Sequence, residues 1–279
     1  MIPETVRSIG SNAFSNCEKL KTVYYVADKT NLDKMVIGNG NEALSGAESH
    51  FRYRYQKDAA LVLDGTLNVK IRFNGDITKE DGWKVNGKEI ETNGESIFVY
   101  STSAKNFKDD IIITKGSDIF SRFSIDKMLK RYADISEIED IANAITDYCT
   151  AAEAYFSGNG SVADYSADWE NIKLSIGEKG NINMGENYYG TTLLLKSGMI
   201  LRHYYTSKTE NVEYTGEKNG CFYIDKTVPA HRFSDLSEYG VNDYIYRVLS
   251  SEETSDDLKN LCAAIFYYGS AAEIYADQY

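Results

Sequence analysis

The feature that most constrains this chain is an internal repeat. Shifting the sequence by 120 residues lays Ala144, Ile145, Tyr148, Ala151, Ala152, Glu153 and Tyr155 on Ala264, Ile265, Tyr268, Ala271, Ala272, Glu273 and Tyr275. These identities exceed what shared composition produces, even in a chain with 22 Tyr. A fixed offset of this kind means that one supersecondary unit has been used twice, so the fold has to contain two equivalent elements.

The match extends upstream with different loop lengths. Leu61-Val62-Leu63, followed by Val69, Ile71 and Phe73, corresponds to Leu193-Leu194-Leu195, followed by Leu201, His203 and Tyr205. Ala104, Phe107 and Asp109 correspond to Ala230, Phe233 and Asp235, and Ile125 and Leu129 to Val241 and Ile245. Both copies share one grammar. Val69, Ile71 and Phe73 alternate with Lys70 and Arg72, the period of a strand. Asn74-Gly75, Asn86-Gly87 and Asn93-Gly94 in the first copy, and Asn219-Gly220 in the second, mark turns that need positive φ. A short helix is predicted over 125–133 or 241–249, and a long one over 136–156 or 254–276. Ile141, Ala144, Ile145, Tyr148, Ala151, Ala152 and Tyr155 form the apolar stripe of the first long helix. Its many alanines predict close packing on its own sheet or on its twin. Ser136 and the Thr254-Ser255 pair precede acidic first turns, which is an N-cap arrangement.

Ahead of the duplication, Val6, Ile9, Ala13, Phe14, Cys17, Leu20 and Val23 form a graded apolar ladder with a period of about 23 residues. The stretch Ile2-Pro3-Glu4 through Ala13-Phe14-Ser15-Asn16-Cys17-Glu18-Lys19-Leu20 resembles the BspA-like leucine-rich repeat. Val23-Tyr24-Tyr25 through Ala43-Leu44 resembles the closing repeat of such arrays. One or two coils cannot bury their own face, so this segment is expected to be a cap or the end of a longer array. The duplicated region resembles a module found at the C-termini of surface and secreted proteins of gut Firmicutes. That likeness is carried by Thr192-Leu193-Leu194-Leu195, Leu201-Arg202-His203-Tyr204-Tyr205 and Tyr267-Tyr268-Gly269-Ser270-Ala271-Ala272-Glu273-Ile274-Tyr275. Family members usually carry an Asn-Phe-Tyr run where this chain has Val69-Lys70-Ile71-Arg72-Phe73. The resemblance implies an extracellular, cell-surface address and no catalytic activity.

The expected architecture is therefore α+β: a short leucine-rich repeat cap over 1–51, then two tandem, homologous modules, each a β-sheet with a C-terminal helix. The modules cover 52–157 and 189–279, and a linker over 158–188 joins them. The linker opens flexibly with Ser157-Gly158-Asn159-Gly160-Ser161, whereas Trp169 and Ile172 predict anchoring of its later part.

Charge and composition exclude several classes of function. A net charge of -12 without a basic stripe argues against nucleic acid and against an anionic membrane surface. No run of 18 apolar residues supplies a membrane span. Met1 runs directly into Ile2-Pro3-Glu4, so an exported form is expected to have its signal peptide left out of this sequence. Cys17, Cys149, Cys221 and Cys262 have no zinc-ligand spacing, and Cys149 and Cys262 read as buried free thiols within helices.

Catalytic constellations are missing from the motifs. There is no Gly-x-Ser-x-Gly elbow, no His-Glu-x-x-His and no phosphate-cradling loop. Asp76-Ile77-Thr78-Lys79-Glu80-Asp81-Gly82 fails the spacing of a calcium loop. Of the three His, His50 falls in the cap, His231 in a loop, and His203 on a strand where its counterpart Ile71 points to a packed ring. Glu153 and Glu273 read as solvated helix positions or cap partners. No metal or cofactor is expected, and the chain is not expected to be an enzyme. The candidate ligand-binding residues are Tyr204, Tyr205 and Tyr214, in or beside strands, and Trp83 near a turn, because exposed aromatics stack on sugars and anchor protein interfaces. Strand alternation places Tyr204 and Tyr205 on opposite faces. The expected function is adhesion or recognition of a host protein, immunoglobulin among the candidates, or of a glycan. The alternatives are a purely structural stalk and a cryptic glycoside hydrolase or peptidase.

Overall fold

The structure, a computed structural model, describes residues 1–51, 53, 55–92, 94–158, 162–178, 182–196, 198–235 and 239–278. The fold is mixed α+β, with several small sheets and a long C-terminal helix. The chain divides into two compact units. The first comprises Met1–Asp58, Arg72–Trp83 and Glu89–Phe98; the second comprises Ala59–Ile71, Lys84–Lys88 and Val99–Tyr279.

The first unit begins with parallel coils. Strand β1 (Ser8–Ile9) pairs in parallel with β3 (Val36–Ile37), and β2 (Thr22–Tyr24) pairs with β4 (Glu48–His50). A further parallel bridge joins Ile2 to Tyr25. Partners lie 28 residues apart in the first pair and 26 in the second. Two single-turn helices, α1 (Lys29–Leu32) and α2 (Glu42–Ser45), close the second coil. Ile2, Ile9, Val23, Tyr25 and Leu44 form the core of the coils, with Val6, Phe14 and Leu20 packed against it. Ala13, expected in the ladder, is exposed.

Asn41 fastens successive coils together. Its carbonyl oxygen accepts from the Phe14 N–H at 2.8 Å, and its amide donates to the carbonyls of Gly10 at 2.9 Å and Gly38 at 2.7 Å. The side chain is buried and fully engaged, so it satisfies backbone groups that the short strands leave unpaired.

The next strands are β5 (Gln56–Leu61), β6 (Asn68–Phe73), β7 (Trp83–Val85), β8 (Lys88–Glu89), β9 (Ile97–Ser101), β10 (Ile111–Lys115) and β11 (Asp118–Phe123). They form a three-stranded sheet ordered β5-β6-β9 and a four-stranded sheet ordered β11-β10-β7-β8. On β6, Val69, Ile71 and Phe73 are buried while Lys70 and Arg72 are exposed, as the alternation predicts. The Asn86-Gly87 turn between β7 and β8 has φ of 49° and 78°, the left-handed geometry of a two-residue hairpin loop. Of the other turn pairs, Asn93 lies outside the described residues.

The second unit is organised around helices. These are α3 (Ile125–Tyr132), α4 (Glu139–Ser157), α5 (Trp169–Ile176), α6 (Val241–Ser250) and α7 (Asp256–Gln278). A sheet of β12 (Tyr188–Leu195), β13 (Met199–Tyr205), β14 (Gly216–Lys218) and β15 (Cys221–Val228) is ordered β12-β13-β15-β14 and is antiparallel throughout. The hairpin from β14 to β15 turns at Asn219-Gly220, with φ of 53° and 78°.

The predicted helix ends shift by a few residues. Helix α4 begins at Glu139 with no side-chain cap, because the Ser136 hydroxyl instead reaches the carboxylate of Glu137. Helix α7 does receive a hydroxyl cap, from Ser255 to the N–H of Leu258. Gly158 ends α4 in the left-handed region, where a Cβ is disfavoured.

The stripe of α4 packs against α7. Ala142 and Cys149 join Ile141, Ile145, Tyr148, Ala151 and Ala152 in the buried face, while Ala144 and Tyr155 are only half-buried. At the helix crossing the rings of Tyr148 and Tyr268 stack at 5.2 Å with an interplanar angle of 4°. A short 3-10 turn, Ala104–Asn106, packs on α4, and another, Ala230–Arg232, packs on α7. Both are followed by a buried Phe, Phe107 or Phe233. The Phe107 carbonyl accepts from Asp126 N–H at 3.0 Å, and that of Phe233 from Asn242 N–H at 3.3 Å. Beyond Phe107, Lys108 pairs with Glu153; beyond Phe233, Ser234 donates to Glu273 at 3.0 Å. Val162 and Ile172 are buried, and the Asn260 side chain accepts from the Tyr165 N–H at 2.9 Å, so the later linker is tied to α7.

Candidate functional site

Three of the four candidate aromatics lie on or beside the sheet built from β12 to β15. Its register decides what they can do. Opposed residues in an antiparallel pair point to the same face. Tyr205 lies opposite Tyr188 and Phe222, whereas Tyr204 lies opposite Gly190 and Tyr223. The two tyrosines therefore belong to clusters on opposite faces of the sheet.

The inner face carries the buried Met199, Leu201 and His203 and the ring cluster of Tyr205. Tyr205 meets Tyr188 at 6.0 Å and 68°, and Tyr214 at 5.6 Å and 80°. Tyr214 meets Phe222 at 5.8 Å, and its hydroxyl accepts from the Thr209 N–H at 3.1 Å. Lys208 sits 4.9 Å over the Phe222 ring. These are edge-to-face contacts at packing distance, so the rings fill the space among themselves. Burial pushes the Tyr205 phenol above its ordinary pKa. Tyr205 and Tyr214 are half-buried and pack chiefly on each other.

His203 extends this cluster inward. Its Nδ1 lies 2.7 Å from the Thr191 hydroxyl, which lies 2.6 Å from the Tyr188 hydroxyl. Arg247 donates to Tyr188 at 3.5 Å. Tyr239 packs edge-on to the imidazole at 5.6 Å and 89°, and burial pushes its own phenol up to about 12. A hydroxyl beside an imidazole is the geometry of a nucleophile and its base. Here the hydroxyl is shared between two partners and the imidazole is 6% exposed, so a substrate has no approach to the pair.

The outer face is different. Arg202 forms a bidentate pair with Asp225, Nε to Oδ1 and a terminal nitrogen to Oδ2, both at 2.7 Å. The guanidinium carbon lies 3.7 Å from the Tyr223 ring centroid, and Tyr204 meets Tyr223 at 6.1 Å and 60°. The Asp225 pairing above all holds the guanidinium firmly charged. Tyr223 lies flat across β14 because residue 216 is Gly: a Cβ there would sit 2.6 Å from the Tyr223 hydroxyl. Leu194 and Ile200 flank this row half-buried, and Thr192 and Thr227 are exposed. The result is a pre-organised, rigid surface of aromatic edges and a paired fork of donors, requiring little ordering on contact.

Trp83 does not belong to a surface site. It is fully buried, with its ring edge-on to Phe73 at 5.1 Å. The turn ends at Gly82, whose φ of 72° reverses the chain, and Trp83 is already the first inward position of a strand. Proximity to a turn in sequence concealed the alternation that takes over one residue later.

The residues that sequence reasoning missed are Arg202, Asp225 and Tyr223. The signal was available: a central-strand Arg in an apolar context needs a partner, and the β15 run Cys221-Phe222-Tyr223-Ile224-Asp225 supplies one acid. Glu153 and Glu273, expected as solvated helix positions or cap partners, instead make tertiary contacts, Glu153 with Lys108 and Glu273 with the Ser234 hydroxyl. Cys149 and Cys262 are buried free thiols, and burial pushes both above the ordinary thiol pKa. Among the described residues no cluster of His, Cys, Asp or Glu is placed to hold a metal ion, and no helix is long and apolar enough to cross a membrane. No family model, curated protein or solved structure matches this chain.

Proposed function

We propose that the chain is a non-enzymatic recognition module of a bacterial cell-surface protein, and that the outer face of the β12-to-β15 sheet is its contact surface. In this reading residues 1–51 are the closing coils of a leucine-rich repeat array and the remainder is a duplicated β-plus-helix module. The parallel register of β1 with β3 and of β2 with β4 supports the first element. The matched bonds after Phe107 and Phe233, and the stacking of Tyr148 on Tyr268, support the second.

The observation that carries the functional reading is the Arg202–Asp225–Tyr223–Tyr204 row. Two charged side chains left only 13% and 18% exposed are costly to desolvate. Their bidentate pairing beside the tilted rings of Tyr204 and Tyr223 is suited to a host protein or glycan surface. The test is a glycan and host-protein array, host immunoglobulin included, probed with the wild-type chain and with Arg202→Ala and Tyr204→Ala. A specific hit weakened at least about tenfold by either substitution, roughly 1.4 kcal/mol, is the expected outcome. Signals at background, or hits indifferent to both substitutions, overturn the assignment.

A structural stalk is the second reading. It is favoured by the mutual packing of Tyr205 and Tyr214 and by the burial of Trp83, which remove three of the candidate aromatics from service as free platforms.

A further inference from the structure

A cavity of about 220 Å³ opens in the second unit among the end of α4, the edge strand β12, α6 and the first half of α7. Phe156, Leu193, Tyr244, Leu261 and Ile265 form most of its wall. We propose that this cavity binds a neutral, hydrocarbon-like small molecule of about nine carbon atoms, such as an alkylbenzene or a short alkyl chain.

The chemistry of the wall sets the class. No described lining residue carries a formal charge. The polar groups there are two phenols, the Thr192 hydroxyl and the Cys262 thiol. Burial pushes the Tyr244 phenol up to about 12, so it stays protonated, and the Cys262 side chain, almost wholly buried, stays a neutral thiol. Such a wall offers a water few partners. A charged group drawn inside would lose its hydration with no counter-charge to replace it. Lys105 lies 5.9 Å over the ring of Phe156 at the rim.

Size sets the limit. A dry apolar cavity of about 150 Å³ accommodates benzene, so 220 Å³ scales to roughly nine carbons. Phe156 is half exposed at the rim and packs edge-on to Tyr155 at 5.2 Å and 87°, so the entrance is an aromatic edge that can swing without disturbing a core residue.

The test titrates the full chain with n-butylbenzene, n-octanol and n-octanoate by calorimetry. In parallel, the rate at which methyl methanethiosulfonate labels Cys262 is followed by peptide mapping. The two neutral probes should bind saturably, octanoate at least about tenfold more weakly than octanol, and n-butylbenzene should slow Cys262 labelling at least about tenfold. Leu258→Trp, at a half-buried lining position, should fill the cavity and abolish binding. Leu174→Trp, at a position 79% exposed and away from the cavity, should leave it intact. No saturable binding of either neutral probe, octanoate binding as tightly as octanol, or Cys262 labelling indifferent to n-butylbenzene would each overturn the proposal. The labelling measurement needs only the wild-type chain, so it decides even where Leu258→Trp fails to fold.

Discussion

Removing either ring of the Tyr148–Tyr268 stack should unfold the second unit far more readily, and removing both should cost less than the sum. Each side chain is about 2% exposed, and the rings lie nearly parallel at 5.2 Å. Tyr268 is further held edge-on by Phe233 at 6.1 Å, and the Tyr148 hydroxyl points at the Met199 sulfur at 3.9 Å. A buried aromatic cut to Ala costs about 3–5 kcal/mol in lost transfer energy and residual cavity. At about 2–4 °C per kcal/mol for a unit of this size, each single substitution should lower Tm by roughly 6–20 °C. The stack itself is worth about 0.5–1.5 kcal/mol beyond area burial, so the double variant should fall short of additivity by at least that amount. Urea denaturation followed by far-ultraviolet circular dichroism measures all four corners of the cycle. Tyr148→Phe and Tyr268→Phe keep both rings and should stay within about 1 kcal/mol of wild type. Strict additivity of the two Ala substitutions, or a cost below about 1 kcal/mol for either, would refute the claim that the two long helices are joined through this pair.

Further perturbations follow from single contacts. Asn41→Ala should destabilise the first unit by about 2–4 kcal/mol, because it orphans the Phe14 N–H and the Gly10 and Gly38 carbonyls; faster proteolysis confined to the first 51 residues is the readout. Gly65→Ala should cost at least about 2 kcal/mol, since φ is 88° there and a Cβ would sit 2.4 Å from the Ala230 backbone nitrogen, and a Tm equal to wild type would contradict that contact. Burial raises the Tyr148 and Tyr268 phenols and pushes those of Tyr239 and Tyr244 to about 12. Folded values above the unfolded value of about 10 mean that their stabilisation is complete below pH 10 and is lost as pH climbs from about 10 towards 12. Tyrosinate absorbance should therefore show a late phase that coincides with loss of helix, and titration of every tyrosine near pH 10 with the dichroism unchanged would count against it.

Periodicity and turn chemistry were legible in the sequence because they are local. The alternation of Val69, Ile71 and Phe73, the Asn86-Gly87 and Asn219-Gly220 hairpin turns and the helices α3, α4, α6 and α7 all follow from spacing within a few residues. The ends were less legible. Ser136 is an ordinary N-cap residue, yet it turns to Glu137, and α4 starts three residues later. Grouping into compact units was not legible at all. Segments Arg72–Trp83 and Glu89–Phe98 cluster with the N-terminal coils, although their sequence continues the first β-plus-helix pattern. The site divided in the same way. Alternation alone separated Tyr204 from Tyr205, but the partner of Arg202 lies 23 residues away on another strand, and only the register brings Asp225 opposite it.

The abundance of tyrosine now has a physical account that goes beyond strand propensity. A tyrosine joins a large apolar ring to one hydroxyl, and this fold uses both ends in the same places. At the helix crossing the rings stack, and on the inner face of the β12-to-β15 sheet they interlock edge to face. On β5, at the edge of its sheet, the Tyr132 hydroxyl takes over a backbone bond that a neighbouring strand would have made, accepting from the Leu61 N–H at 3.2 Å. An open edge is a template for pairing with other chains, and a hydroxyl placed there occupies one of its donors. On the outer face of the β12-to-β15 sheet the Tyr223 ring lies under the guanidinium of Arg202, which Asp225 pairs on both nitrogens, and this side-chain row is what the proposed recognition reading rests on.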